Sequence, residues 1–289
     1  MKNPCFLILD GHNIAYRSFF AIPRLTAPDG RPSNALFGFV RACDALRREC
    51  VPSHICAVFD GGLPAERLER LETYKAQRPP MPDELREQMA AIESYLECTR
   101  VPALRLEGEE ADDVIATLAK QAVADGASVR IASNDKDLYQ LVGEGILLVS
   151  PTGPTTLVGP EEVRRRTGVG PERIVDWLAL TGDASDNIPG VPGIGPKTAA
   201  RLISEFGSLE ELWKRLEEVR PERIRHLLAE YRPQVERNRA MTLLRDDLSL
   251  PRDWRSCEIT APDRERLQAF HREWGFHSLL RQMEEPSFL

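Results

Sequence analysis

Phe6-Leu7-Ile8-Leu9-Asp10-Gly11 is an apolar run that does not alternate and that stops at an acid and a glycine. With no polar face to offer water, such a run must be covered on both sides, the situation of a strand inside a parallel sheet. Ile55-Cys56-Ala57-Val58-Phe59 repeats the pattern and also ends in an aspartate, Asp60. Val129-Arg130-Ile131-Ala132 is a third strand and runs into Ser133-Asn134-Asp135. A short strand over residues 103–106 leads to Glu109-Glu110-Ala111-Asp112-Asp113 and a helix over 114–124. A further helix spans 34–48, with Ala35, Phe39, Ala42 and Leu46 on one face. Strands alternating with helices predict an α/β fold, a mostly parallel central sheet flanked by helices.

Outward from this frame the pattern changes twice. Residues 64–96 turn polar and basic, with Arg67, Arg70, Lys75, Arg78 and the break Arg78-Pro79-Pro80-Met81-Pro82. Composition alone fits a helical excursion off the sheet and a solvated linker equally, and the excursion is the reading adopted, over about 64–97. After a short strand over 155–158, the chain from residue 159 reads as all helix punctuated by Gly and Pro. Two parts are expected, an α/β domain over 1–160 and a helical lobe over 161–289.

Four of the strands deliver carboxylates at their C-terminal ends: Asp10, Asp60, the group Glu110, Asp112 and Asp113, and the pair Asp135 and Asp137. That edge is where open parallel sheets form sites. Singly, Asp112-Asp113 would pass for a helix cap and Asp10-Gly11 for a turn. Together the like charges repel, unless some keep a proton or cations neutralise them. Oxygen ligands select Mg²⁺ or Mn²⁺. Asp183 and Asp186, in Thr181-Gly182-Asp183-Ala184-Ser185-Asp186-Asn187, would close the site from the helical lobe. Carboxylates without a Cys or Ser nucleophile fit hydrolysis by an activated water, with two ions about 4 Å apart at a phosphorus centre. Lys75 and Arg78 would then neutralise charge on the phosphate. His12 is left to hydrogen bonding.

The glycine-rich stretch Asn187-Ile188-Pro189-Gly190-Val191-Pro192-Gly193-Ile194-Gly195-Pro196-Lys197-Thr198-Ala199 is not a P-loop, because Lys197 falls one place late and no buried strand precedes it. No nucleotide cofactor is expected. A helix-hairpin-helix over about 187–206 fits better. Gly193 and Gly195 allow a tight turn, Pro196 suits a first helical position, and the free N–H groups beside Lys197 and Thr198 would grip phosphates without reading bases. Arg164-Arg165-Arg166 fits an exposed basic patch and a solvated helix face alike.

Composition sets bounds. The 289 residues, 42% hydrophobic and 29% charged, suffice for one sizeable core and a smaller lobe. A formal charge of −7 argues against a nucleic-acid partner, but removing the nine candidate ligand acids leaves +2. The six cysteines show no zinc spacing and read as reduced packing residues. No run approaches the roughly 20 apolar residues that span a bilayer, so a cytoplasmic protein with no membrane partner is expected.

In order along the chain, Leu9-Asp-Gly-His-Asn-Ile-Ala-Tyr-Arg17, Val58-Phe-Asp60, Tyr74-Lys-Ala-Gln-Arg-Pro-Pro-Met-Pro82, Glu110-Ala-Asp-Asp-Val114, Asp135-Lys-Asp-Leu-Tyr139 and Thr181-Gly-Asp183 through Asp186-Asn187 resemble the motifs of the 5′-nuclease, or flap endonuclease, superfamily. The nearest likeness is to the 5′–3′ exonuclease domain of bacterial DNA polymerase I and its free-standing homologues. The resemblance implies a PIN-like sheet, a helical arch and a helix-hairpin-helix lobe. It implies a first metal at Asp10, Asp60, Glu110 and Asp112, and a second served by Asp113, Asp135, Asp137, Asp183 and Asp186. Lys75 and Arg78 match the arch's basic pair, and Tyr16 the residue stacked near the terminal nucleotide. The hairpin at Gly193, Ile194, Gly195, Lys197 and Thr198 would bind duplex DNA, with a potassium ion on backbone carbonyls between Val191 and Ile194. Glu66-Arg67-Leu68-Glu69 stands where Phe-Arg-His-Glu is common, so only Arg67, expected to contact DNA, and Glu69 carry over. Glu109 replaces the usual aromatic before Glu110. The implied protein is a bacterial, nucleoid-associated monomer that hydrolyses DNA at 5′ flaps, nicks or branches without sequence preference. A PIN-like ribonuclease and a non-catalytic DNA-binding module are the rivals.

Overall fold

The structure, a computed structural model, describes residues 3–152 and 156–284. Thr155, the expected start of the last strand, and the outer limits of the two expected parts, residues 1 and 289, lie outside the described residues. The core of the fold is a six-stranded sheet of order β3-β2-β1-β4-β5-β6. Its members are β1 (Cys5–Asp10), β2 (His54–Phe59), β3 (Ala103–Arg105), β4 (Ser128–Ala132), β5 (Ile146–Val149) and β6 (Leu157–Val158), and only the β5–β6 pair is antiparallel. The chain builds outward from β1 to β3, then returns to lay β4 on the other side of β1. The order therefore reverses between β1 and β4, and a crevice opens at their C-terminal ends. Register sets Leu9 opposite both Ala57 and Ala132, so Asp10 emerges level with the ends of its neighbours.

The apolar run of β1 is buried on both faces, as its composition requires. Phe6 and Ile8 enter one core, with Val58, Val129, Ile131 and the helix over Ala111–Ala124; Leu7 and Leu9 enter the other. The second core lies under α1 (Gly11–Ala21), α2 (Asn34–Cys50) and α4 (Asp83–Thr99). Between α2 and α4 comes the short α3 (Ala65–Arg70), and α5 spans Ala111–Ala124. Leu85, Met89, Ile92 and Leu96 form the buried stripe of α4, spaced at helical period. The expected excursion over 64–97 is therefore shorter. Its second half, α4, covers the sheet side already occupied by α2, while within residues 64–82 Arg67 and Tyr74 are buried and Met81 packs on the same core as α4.

The helical part holds α6 (Pro160–Thr167), α7 (Ile174–Thr181), α8 (Pro196–Phe206), α9 (Leu209–Lys214) and α10 (Glu222–Thr242). It also holds two short strands, β7 (Gly182–Asp183) and β8 (Ile188–Pro189), paired antiparallel where only helix was expected. Ile174, Leu178, Val191, Ile194 and Leu202 share one continuous core with Phe6 and Ile8. The last helices, α11 (Arg264–Glu273) and α12 (His277–Glu284), return to the opposite core, where Phe270, Trp274 and Leu279 pack with α2 and α4. On α6, Arg164 pairs with Glu161, and Arg165 and Arg166 pair with Glu162. Among the described residues no helix is long and apolar enough to cross a membrane.

Candidate metal centre

Asp10 ends β1 and caps α1 in one step. Its Oδ1 accepts the Asn13 N–H at 3.1 Å, and its Oδ2 accepts the Ser133 hydroxyl at 2.7 Å across the β1–β4 junction. Burial lifts this carboxyl to about 7 against those two hydrogen bonds, with Asp135 and Asp60 adding repulsion. Asp60, beyond β2, accepts the Ala111 N–H at 3.0 Å. Burial would raise Asp60 too, but the His12 hydrogen bond and charge, the Ala111 N–H and Lys75 outweigh it and hold the group at about 2. The Asp60 N–H donates to His12 Nδ1 at 3.1 Å, and the same ring nitrogen lies 3.1 Å from Asp60 Oδ2.

The loop after β3 enters α5 with Glu110 at the cap position and Asp112 and Asp113 in the first turn. Burial, then Asp135, Asp10 and Asp137, drive the Asp112 carboxyl well above its ordinary range. After β4, the Ser133 Oγ accepts the Asp135 N–H at 3.1 Å, and Asp135 Oδ1 accepts the Asp137 N–H at 3.0 Å. Burial raises both aspartates. Asp137 Oδ1 is buried and has no hydrogen-bond partner among the described residues.

The opposite wall comes from two loops. Gly182, at φ 69°, packs its Cα against Gly190 and Ile188, so the β7–β8 ladder closes with no room for a side chain there. That ladder projects Asp183 and Asp186, both buried. Asp183 Oδ1 accepts the N–H and hydroxyl of Ser185 and faces Lys136 at 3.2 Å. Residues 71–78 bind across the same loop. The Lys75 N–H donates to the Asp186 carbonyl at 3.0 Å, and Asn187 donates to the Thr73 carbonyl at 2.7 Å. Tyr74 donates to Glu110 at 3.1 Å and also lies 3.2 Å from Asp186, Lys75 pairs with Glu110 and lies 3.6 Å from Asp186, and Arg78 reaches Asp186 at 2.5 Å. Burial disfavours the charge on Lys75, but Asp186 and Glu110 more than compensate and raise it.

These walls enclose a cleft of about 410 Å³, lined by Asp10, Tyr16, Asp60, Lys75, Arg78, Asp112 and Asp135 among others. Beside it, one carboxylate oxygen from each of Asp137, Asp183 and Asp186 lies within 4.8 Å of the others. Clustered acids, several forced toward protonation, with a partnerless buried oxygen and only oxygen donors, are the donor set of a hard divalent cation.

Two expected site residues lie elsewhere. Asp113 is fully buried and faces away from the cleft lining, its Oδ1 taken by Arg67 at 2.9 Å and by the Arg245 N–H at 2.9 Å. Arg67, expected on the DNA surface, is only 8% exposed. Its guanidinium bridges Glu110 and Asp113 from within, since two buried carboxylates demand a buried cation. The hairpin is formed as expected. Gly193 is at φ 80°, the Val191 carbonyl accepts the Ile194 N–H at 3.0 Å, and Gly195 caps α8 without a side chain, leaving the amides near exposed Lys197 and half-buried Thr198 unshielded. The Val191 and Ile194 side chains are buried.

Two family models match successive stretches of the chain. Residues 5–168 match the family model of the 5′-3′ exonuclease N-terminal resolvase-like domain, and residues 169–265 that of the 5′-3′ exonuclease C-terminal SAM fold. The chain belongs to the 5′–3′ exonuclease family. It is an enzyme of that family, whose members are metal-dependent nucleases. A 5′-3′ exonuclease of Aquifex aeolicus is 37% identical over 278 residues, covering 96% of this chain and 94% of the relative. A thermostable DNA polymerase I of Thermus filiformis is 41% identical over 277 residues, covering 96% of this chain but 33% of the polymerase, so the chain spans about a third of such relatives. A bacteriophage T5 flap endonuclease, solved with DNA and metal ions, superposes with a TM-score of 0.69 at 22% identity over 98% of this chain and 100% of that one, a likeness of fold.

Sequence reasoning missed Ser133, Tyr74 and Arg245 as partners of the acids. Tyr74 and Ser133 adjoin motif residues, and that adjacency was the available signal. Arg245, which pairs with Glu109 and reaches Asp113 from beyond α10, has no local signal.

Proposed function

We propose that this member of the family is a structure-selective 5′–3′ exonuclease and 5′-flap endonuclease that hydrolyses DNA phosphodiesters at flaps, nicks and branches. The observation that carries the reading is the meeting of Asp10, Asp112 and Asp135 on one cleft wall with Lys75 and Arg78 on the other. Asp10, Asp60, Glu110 and Asp112 would hold one Mg²⁺ or Mn²⁺ ion, and Asp135, Asp137, Asp183 and Asp186 a second. Bound there, the ions supply Lewis-acid activation of water and neutralise charge on the phosphate. Ser133 orients rather than attacks, since its oxygen is engaged by Asp10 and the Asp135 N–H. Lys75 and Arg78 release from Glu110 and Asp186 to meet the phosphate, where fixed cations favour the more highly charged transition state. Tyr16 stacks the terminal base at the cleft wall. The α8 amides with Lys197 and Thr198 hold the duplex through its backbone, beside a potassium ion at the Val191–Ile194 carbonyls. The protein acts as a monomer in the bacterial cytoplasm, at the nucleoid.

The test is cleavage of a 5′-flap duplex with Mg²⁺ and, separately, Mn²⁺. Wild type releases mono- and short oligonucleotides with 5′-phosphates, and Asp135→Ala does not. An Asp135→Ala protein as fast as wild type would refute the assignment. Faster cutting of RNA than of flap DNA would favour the ribonuclease rival, and tight flap binding with no cleavage in either metal the non-catalytic one.

A further inference from the structure

The first helix carries an aromatic feature that the proposed chemistry leaves unused. Phe20 is 73% exposed and is the one aromatic among the large exposed apolar side chains of the described residues. It lies four residues after Tyr16, hence on the same face of α1. Tyr16 lines the cleft with Asp10, Asp112 and Asp135. The two rings are 6.5 Å apart between centroids, with planes inclined by only 27°. Phe19, packed against the core, meets Phe20 edge-on at 5.2 Å and 83° and so props its ring from behind.

We propose that Phe20 extends the cleft into a stacking platform for an unpaired nucleobase of the strand being cut. This rests on the nuclease reading given above. An isolated exposed phenylalanine is ordinary. One that continues, nearly parallel, from the aromatic wall of a phosphodiester cleft is placed to receive the next base along. Stacking suits this role because every base offers a π-face, which matches a substrate recognised without sequence. The surroundings supply cations for the backbone: Arg17, Arg24, Arg78 and Arg86 all stand at the surface. Arg24 pairs with Glu84 at 3.5 Å and Arg86 with Asp83 at 3.4 Å, but such exposed pairs are weak, and phosphate can compete for them. Arg17 contacts the Thr152 hydroxyl at 3.4 Å.

The test uses a 5′-flap duplex with 2-aminopurine placed at each unpaired nucleotide in turn, bound to the full chain in chelator. Wild type should change the fluorescence at one position beyond the branch, and Phe20→Trp should preserve that signal. Phe20→Ala should lose it and bind about tenfold more weakly, within the range of base–aromatic stacking. An abasic site at the same position should cost wild type about tenfold and Phe20→Ala nothing further. Equal losses for both proteins on the abasic substrate, or an unchanged signal with Phe20→Ala, would overturn the platform. So would a Phe20→Ala protein that loses only self-association in sedimentation. Cleavage with Mg²⁺ separates the two ideas: a wild type that cuts flaps while Phe20→Ala behaves identically defeats the platform alone. A wild type that neither binds nor cuts defeats both.

Discussion

Replacing Asp10 by asparagine should remove the catalytic function and yet make the metal-free protein relatively more stable at alkaline pH. Asparagine keeps one oxygen for the Asn13 N–H, places an amide N–H₂ where Asp10 accepts the Ser133 hydroxyl, and has no proton to lose. In the unfolded chain an aspartate titrates at 3.8, whereas Asp10 in the fold titrates at about 7, raised by burial. Between those values the unfolded carboxyl is ionised and the folded one is protonated. Raising the pH then favours unfolding, by about 1.4 kcal/mol for each tenfold fall in acidity. The contribution is complete below pH 3.8 and gone above about 7. From pH 5 to pH 8 the loss from Asp10 is roughly 3 kcal/mol. Asp112, Asp135 and Asp137, also raised, push the same way. His271, lowered to about 4 by burial, pushes oppositely below its ordinary 6.5, but it is common to both proteins and cancels in the comparison. The assay is urea unfolding of wild type and Asp10→Asn in chelator at both pH values. Asp10→Asn should gain roughly 3 kcal/mol on wild type between them. Parallel behaviour of the two proteins would refute the claim that a buried, ionisable Asp10 opposes folding. Mn²⁺ added at pH 8 should restore wild type and help the variant far less.

Lys75→Ala should slow single-turnover flap cleavage by about 10²–10³ with flap affinity changed much less, read by rapid quench beside a binding titration. Arg67→Ala leaves Glu110 and Asp113 buried without their guanidinium and should destabilise the fold by about 3–5 kcal/mol in urea unfolding, whereas loss of DNA affinity without loss of stability would return Arg67 to the surface role. Gly182→Ala places a Cβ against the Gly190 amide and Ile188 carbonyl at φ 69°, so it should disturb Asp183 and weaken Mn²⁺ binding measured by calorimetry. Lys197→Ala should weaken flap binding about equally for all sequences and lower the salt slope of the affinity by about 1.

The sheet was legible because a doubly buried strand has nowhere to hide polar residues, and an acid at its end is conspicuous. Phe6 to Asp10 and Ile55 to Asp60 show this. Helix α1 was less legible, because it starts at Gly11 with no intervening loop and borrows Asp10 as its cap. Strand β5 is four residues long, follows directly on the turn at Gly145, and passes unnoticed in isolation. In α4 the buried stripe is interleaved with acids, and a composition dominated by charge concealed it. Asp113 was expected at the second metal and Arg67 at the DNA because the motifs around them resemble those of the family. Their burial is set by Glu110 and Arg245, which are 43 residues from Arg67 and 132 from Asp113, distances over which local pattern carries no information.

The seamless packing of Phe6 and Ile8 with Leu178, Ile194 and Leu202 has a mechanical consequence. One core joins the turn that carries Gly193 to the strands that carry the carboxylates, so on the proposed function packing sets their separation, like the gap between a lathe's chuck and its tool. A helix of DNA gripped at one end would meet the blade at a constant offset, and the position of the cut would be gauged by the protein's own dimensions rather than by the letters passing through it.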